Sequence, residues 1–326
     1  MFNALILEQQ DKKTLAKIRK IDESMLPDEG IIVAVDYSSI NYKDGLAITG
    51  KGRVIKKFPM VPGIDLAGTV LTSNDHRYPV GTKVISTGWG VGESFWGGLA
   101  EKVSLKANWL VPLDAGLSTQ KAMKVGTAGL TAMLCVQALI DADIKPDDGE
   151  ILVTGASGGV GATAITLLAQ LGYKVVAVTG RVDENSKLLQ QLGASRIVAR
   201  SEFEEPARTL ETQLWAGAID TVGSNMLAKV IAQMNYNGAI AACGLAGGFD
   251  LPTTVMPFIL RGVKLIGIDS VYCEYDKRVA AWRHLTSLLP ESFYQQACTE
   301  ITLDQVISYA EAITNGQVTG RTVVKL

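Results

Sequence analysis

Residues 153–161 read Val-Thr-Gly-Ala-Ser-Gly-Gly-Val-Gly (VTGASGGVG), between the β-branched run EILVTG (150–155) and the apolar run ATAITLLAQLG (162–172). The first run reads as a buried strand and the second as a helix that Gly172 is placed to end. A glycine-rich turn between a strand and a helix binds pyrophosphate for a physical reason. Missing side chains let the backbone approach a phosphate, and the first helical turn offers unpaired N–H groups at the positive end of its dipole.

Two dinucleotide fingerprints fit this loop. Ala156 to Gly161 matches G-x-G-x-x-G with alanine in the first glycine position, while Thr154-Gly155 with Gly159 and Gly161 matches the T-G-x-x-x-G-x-G of short-chain dehydrogenases. The second fingerprint demands a loop near the N-terminus and a later Tyr-x-x-x-Lys pair. This loop starts at 153 and no tyrosine has a lysine four residues on, so the second reading fails. A plain structural turn is the bland alternative, against which the flanking strand and helix weigh.

Outward from the loop, helical stretches alternate with KVVAVTG (174–180), RIVA (196–199), AIDTV (218–222), AIAACG (239–244) and VKLIGID (263–269). With the first run these make six strands, the pattern of a doubly wound parallel sheet. Upstream, IIVAVDYSSI (31–40), IDLAGTV (64–70), KVIST (83–87) and LAEKVSL (99–105) are short β-rich runs broken by Gly and Pro, as in a barrel or sandwich. The texture changes near 121, where AMKVGTAGLTAMLCVQAL (122–139) reads as a helix. The tail from 301 reads strand, helix, strand and is expected to return to the first domain. The fold class is α/β, with a β-barrel domain over 1–122 and 293–326 and a six-stranded doubly wound sheet over 123–292.

Composition narrows the function. The 326 residues suit two domains at roughly 100–200 residues each, and 47% apolar with 20% charged residues suits a full globular core. A net charge of −2 gives no general attraction to nucleic acid or anionic lipid. No apolar run is read as reaching the ~20 residues that span a bilayer, and MFNALILEQQDKK reads as a first strand rather than a signal peptide. Neither nucleic acid nor membrane is an expected partner, and a cytoplasmic location is expected. Cys135, Cys243, Cys273 and Cys298 are far apart without a CxxC, and His76 and His284 are the only histidines. Buried reduced thiols are expected, and no metal site.

The end of the second strand selects the nicotinamide. An acidic residue there would hold a ribose 2′-hydroxyl, but the strand ends Val178-Thr179-Gly180-Arg181. Small residues followed by a guanidinium suit a 2′-phosphate, and Arg200, just after the third strand, approaches from the side. NADPH is the expected cofactor. Asp183 and Glu184 weigh against it, and ordinary surface charge is the alternative for both arginines.

Further segments run in order over nearly the whole chain: Asn41-Tyr42-Lys43-Asp44, Pro62 to Gly68 (PGIDLAG), Gly81-Thr82-Lys83-Val84 and Gly244 to Gly248 (GLAGG). Together with the loop they resemble the medium-chain dehydrogenase/reductase superfamily of zinc alcohol dehydrogenases and quinone reductases. SSINYKDGLAITGKG (38–52), TGWGVGESFWGGLAE (87–101), GTAGLTAMLCV (126–136) and CGLAGGFDLPTTVMPFILRGV (243–263) are similar to its YhdH/YhfP-type branch, which includes bacterial NADPH-dependent acryloyl-CoA reductases. The resemblance implies a GroES-like barrel, a Rossmann domain and a homodimer through the sheet edge near 263–269. Zinc members carry Cys where this chain has Asn41 and His where it has Ile64, and four close cysteines around 90–115, where this chain has none. The resemblance therefore implies the zinc-independent branch and no Lewis-acid step.

The implied chemistry is hydride delivery to an already polarised double bond, in an α,β-unsaturated thioester or a quinone. For a thioester, hydride reaches the β-carbon, charge gathers on the carbonyl oxygen and a proton reaches the α-carbon. Tyr42 is the candidate donor, since a phenol is protonated at neutral pH; contact with the nicotinamide is the alternative. Asn41, with Asp44, is a candidate for polar positioning at the reacting atoms, and Asp65 for satisfying buried donors. The resemblance places Ser157, Gly158, Gly159 and Val160 at the pyrophosphate, and Thr179, Gly180, Arg181 and Arg200 at the adenosine phosphate. It places Leu245, Ile259 and Ser270 at the nicotinamide side, and Asn315 where the tail closes the site. Leu245 and Ile259 read equally as core. Lys51, Arg53, Lys56 and Lys57 form a basic run that suits a solvated face or the phosphates of coenzyme A, with Gly50 and Gly52 suiting a movable lid. The expected substrate is a short acyl-CoA such as acryloyl-CoA. A quinone is the rival, and cofactor binding without turnover a third reading.

Overall fold

In the computed structural model, which describes Met1–Leu326, the chain forms two units. The first unit holds Met1–Thr127, Val271–Thr286 and Cys298–Leu326. It starts with β1 (Phe2–Gln10) and β2 (Lys13–Ile21), an antiparallel pair turned at Asp11 and Lys12. β1 buries Ala4, Leu5, Ile6 and Leu7, so MFNALILEQQ is a core strand. Next come β3 (Ile31–Ile40), α1 (Tyr42–Thr49), β4 (Asp65–Ser73), β5 (Lys83–Thr87), β6 (Lys102–Leu105) and β7 (Val111–Pro112). β3 buries Ile31, Val33 and Val35 on one face, the period-two pattern of a half-buried strand.

α2 (Thr119–Asp141) corrects one sequence expectation. Its 23 residues and mean hydropathy of 1.5 are enough by length and composition to cross a bilayer. Here 67% of the apolar window is buried inside the protein, and the helical path breaks at Gly126 (φ 54°, ψ −158°). It is a core helix with a kink, and the two units divide just after that kink.

The second unit, Ala128–Ser270 with Ser287–Ala297, carries β8 (Glu150–Val153), α3 (Gly159–Gln170), β9 (Lys174–Thr179), α4 (Val182–Gln191), β10 (Ala194–Ala199), β11 (Trp215–Asp220), α5 (Ser224–Ala232), β12 (Met234–Ala242), α6 (Met256–Arg261) and β13 (Lys264–Gly267). The strands lie parallel in the order β10-β9-β8-β11-β12-β13. All six expected strand runs are present. Leu152, Val176, Ala218 and Ile240 from the sheet pack against Leu227, Val230 and Ile231 of α5. Order reverses between β8 and β11, so the C-terminal end of β8, where the glycine loop begins, is a topological switch point.

The chain then runs through α7 (Tyr275–Leu288), α8 (Glu291–Gln296), β14 (Cys298–Thr302), α9 (Val306–Thr314) and β15 (Arg321–Lys325). β15 pairs with β3, completing a seven-stranded sheet along β14-β15-β3-β4-β5-β7 with β6 also on β3. The tail thus returns as expected. The unit boundary differs: residues 271–286 lie in the first unit, ahead of the expected return at 293. Arg278 is one tie of this segment to the rest of the first unit: its fully buried guanidinium donates to the Thr87 carbonyl (2.5 Å) and Thr87 Oγ1 (3.0 Å), and lies 4.8 Å from the centre of the Trp89 ring.

Candidate active site

In the second unit the glycine loop is held from three sides. The Thr154 N–H donates to the Ile219 carbonyl of β11 (3.0 Å), and the Ala156 N–H to the Val178 carbonyl of β9 (3.1 Å). Beneath the loop, Thr154 Oγ1 donates to Asp220 Oδ1 (2.7 Å), while Asp220 Oδ2 accepts the Gly223 N–H (2.7 Å). Burial raises the Asp220 carboxyl above its ordinary range, and these hydrogen bonds oppose the rise. Gly161 lets α3 seat closely: a methyl group there would collide with the Gly155 carbonyl oxygen. No side chain caps α3 at Gly158, and Ser157, Gly158, Gly159 and Val160 are half-buried. An uncapped N-terminus at a switch point fits a pyrophosphate.

At the ends of β9 and β10, four expected residues converge. Thr179 is buried, and its Oγ1 accepts the Arg181 N–H (3.2 Å). The Arg200 guanidinium lies against Gly180, where a methyl group would stand 3.0 Å from Cζ. Arg181 Nη1 approaches Glu184 Oε2 at 3.4 Å, so the acid that weighed against a phosphate partly neutralises one of the two arginines. This corner fits a phosphate held between two guanidiniums.

Leu245 and Ile259 stand 65% and 73% exposed, which removes the core reading for both. They belong to an exposed apolar run with Phe249, Leu251, Val255, Met256 and Leu260. Ser270 is buried, and its Oγ accepts from Thr131 Oγ1 (2.8 Å).

In the first unit, Tyr42 opens α1 with 42% of its surface exposed. Behind it lies a buried polar network. The Asn41 Oδ1 accepts from Arg321 Nη1 (2.9 Å), and its Nδ2 donates to Asp65 Oδ2 (2.9 Å), Ser39 Oγ (3.2 Å) and Asp44 Oδ2 (3.2 Å). Both ends of the Asn41 amide are thus engaged by the protein. Asp44 also accepts the N–H groups of Asn41 (2.8 Å) and Ile64 (3.0 Å). Burial drives its carboxyl up to about 6, with the Asn41 and Ile64 hydrogen bonds opposing and nearby Asp65 adding to the rise. Asp65 accepts from Ser39 Oγ (2.6 Å), the Thr127 N–H (3.0 Å) and the Thr127 hydroxyl, and pairs with Arg321 at 3.6 Å. Burial depresses the Arg321 guanidinium pKa, and Asp65 holds the charge in place. Asn315, at the end of α9, is exposed and accepts from Lys51 Nζ (3.1 Å).

The sequence reading passed over Ser39, Thr127, Arg321 and the Thr154–Asp220 support. A usable signal existed for two of them. Asp220 ends the strand WAGAID and Arg321 opens the strand RTVVK, each beside apolar residues, and a charge placed there must find partners inside.

Comparison with known proteins fits this geometry. The alcohol dehydrogenase GroES-like domain model matches residues 27–115, and the zinc-binding dehydrogenase model matches residues 159–287. A protein of Escherichia coli named "Probable acrylyl-CoA reductase AcuI" is 61% identical over 323 residues, 99% of both chains. The acrylyl-CoA reductase AcuI of Ruegeria pomeroyi is 50% identical, again over 99% of both chains. The yhdH oxidoreductase of Salmonella enterica, solved in complex with NADP, superposes with a TM-score of 0.98 at 61% identity, over 99% of each chain. With end-to-end identity at this level, the chain belongs to the medium-chain dehydrogenase/reductase superfamily, in the branch that holds the AcuI and YhdH oxidoreductases.

Proposed function

We propose that this protein reduces the carbon–carbon double bond of a short α,β-unsaturated acyl-CoA, such as acryloyl-CoA, using NADPH. The full-length likeness to proteins named acrylyl-CoA reductase carries this reading. The paired arginines at the ends of β9 and β10 support NADPH over NADH.

The N–H groups of Ser157 to Val160 hold the pyrophosphate, and Thr179, Gly180, Arg181 and Arg200 hold the 2′-phosphate. Leu245, Ile259 and Ser270 flank the nicotinamide. Bound NADPH supplies the hydride; the chain's own task is to orient the thioester, exclude water and deliver a proton. Tyr42, exposed at the start of α1, protonates the α-carbon as charge leaves the carbonyl oxygen. Asn41 acts as a positioning residue, because its amide is committed to Arg321, Asp65, Ser39 and Asp44. It fixes the N-terminus of α1 and so the phenol. Two copies associate through β13, an unpaired edge of the parallel sheet, with the exposed Phe249, Leu251 and Val255 as further apolar surface. Four free cysteines support a reducing, cytoplasmic location.

The test is NADPH consumption with acryloyl-CoA and a simple quinone at matched concentrations. A much higher kcat/KM for acryloyl-CoA is expected. Preference for the quinone overturns the substrate reading, and NADPH binding without turnover on either overturns the activity.

A further inference from the structure

We infer that Arg53, Lys56 and Lys57 form a fixed cationic surface that receives the phosphates of coenzyme A. The inference rests on the acyl-CoA reading above and adds the residues that would recognise the carrier. Segment 51–58, Lys-Gly-Arg-Val-Ile-Lys-Lys-Phe, is sorted by chemistry. Val54, Ile55 and Phe58 pack against the core around Leu5, Leu7, Met60 and Leu99, whereas Lys51, Arg53, Lys56 and Lys57 stay exposed. The backbone is tied rather than free. The Gly52 N–H donates to the Leu46 carbonyl (3.4 Å) and the Lys56 N–H to the Glu93 carbonyl (3.0 Å).

Neighbouring charges are already spent elsewhere. Glu93 pairs with Lys43 (2.8 Å), and Lys51 is engaged by Thr314 Oγ1 (3.0 Å) and Asn315 Oδ1 (3.1 Å). Arg53, Lys56 and Lys57 pair with no carboxylate. Three anchored cations within five residues, without counter-charge, suit a polyphosphate: an arginine fork with two point charges. The position suits it too. The segment folds back along α1, with Gly52 against Leu46 and Lys56 bonded to Glu93, whose carboxylate holds Lys43, the residue after Tyr42. At about 1.5 Å per residue, α1 is roughly 12 Å long. That span lies within the reach of the pantetheine arm separating a thioester at Tyr42 from its nucleotide phosphates.

The test compares wild type with the Arg53→Gln, Lys56→Gln, Lys57→Gln triple variant on acryloyl-CoA and on acryloyl-pantetheine, which carries the same thioester without phosphates. Wild type should prefer the CoA thioester. In the variant that preference should shrink roughly tenfold or more through KM, and the rise of KM with salt should flatten. An unchanged preference and salt response overturns the surface. Coenzyme A alone, titrated calorimetrically, separates the two readings. Weaker binding to the variant supports the surface even if wild type fails to reduce acryloyl-CoA, a failure that would count against the activity alone. Equal binding to both proteins overturns the surface.

Discussion

Arg200 and Arg181 do different amounts of work at the same corner. Arg200 lies on Gly180 with no acidic partner, whereas Arg181 shares its charge with Glu184 at 3.4 Å. Arg200→Ala is expected to weaken NADPH roughly tenfold to a hundredfold while leaving NADH affinity nearly unchanged, and Arg181→Ala to do the same more mildly. Equal losses for the two nucleotides, measured by fluorescence titration, would defeat the 2′-phosphate assignment. Tyr42→Phe is expected to lower kcat on the order of 10²-fold with little change in NADPH affinity; unchanged turnover removes Tyr42 as donor. Asp44 gives a pH signature. Its carboxyl titrates at about 6 in the folded protein, against roughly 3.9 in an unfolded chain. Its contribution is therefore fully favourable below the unfolded value and is lost as pH rises through about 6. From about pH 4.5 to pH 7 that loss is about 2 kcal/mol, and Asp44→Asn should flatten the corresponding slope of stability, followed by urea unfolding.

At the scale of the element, α2 is the instructive case. Apolar composition makes it a long helix, yet Gly126 takes a left-handed φ of 54° inside it. The kink opens the backbone so that the Thr127 N–H reaches Asp65 and the carbonyls of Met123 and Lys124 reach Arg321. A methyl group at Gly126 would collide with Arg321 Nη2 and Asp65 Oδ2. Gly126→Ala is expected to cost on the order of 2–4 kcal/mol, seen as a lower Tm, because it combines backbone strain with displacement of a buried ion pair. A variant as stable as wild type would show that the network tolerates being spread apart.

At the scale of the whole molecule, the exposed apolar surface bears on assembly. β13 is a sheet edge, and Phe249, Leu251, Val255, Met256 and Leu260, which precede it in the chain, stand exposed. Edges and patches of this kind are normally covered. Sedimentation is expected to give a dimer for wild type and a shift toward monomer for Phe249→Asp, at a side chain that is exposed and outside the proposed cofactor contacts. A monomeric wild type, or an unshifted variant, would remove this surface as the interface.

Local pattern carried much of this. Periodicity of two and of 3.6, punctuated by glycine, placed all six parallel strands and the glycine-rich turn into α3, because those signals are set by neighbours in the chain. The residues Thr179 to Arg181 were legible for the same reason: a strand end and its turn are contiguous. Arg200, twenty residues on, needed only the next strand laid alongside. What pattern could not reach were contacts closed by folding. Arg321 lies 280 residues from Asn41, and only the return of β15 onto β3 brings the guanidinium to the amide. Residues 271–286 join the first unit through contacts such as that of Arg278 with Thr87, 191 residues away. The sequence by itself determined the six-stranded sheet and the glycine-rich turn between β8 and α3, which are built from short-range order. Tertiary structure alone decided that Asn41 is fully bonded, that Leu245 and Ile259 are exposed, and that burial pushes the Asp44 carboxyl up to about 6, because burial and partner choice exist only once distant strands have met.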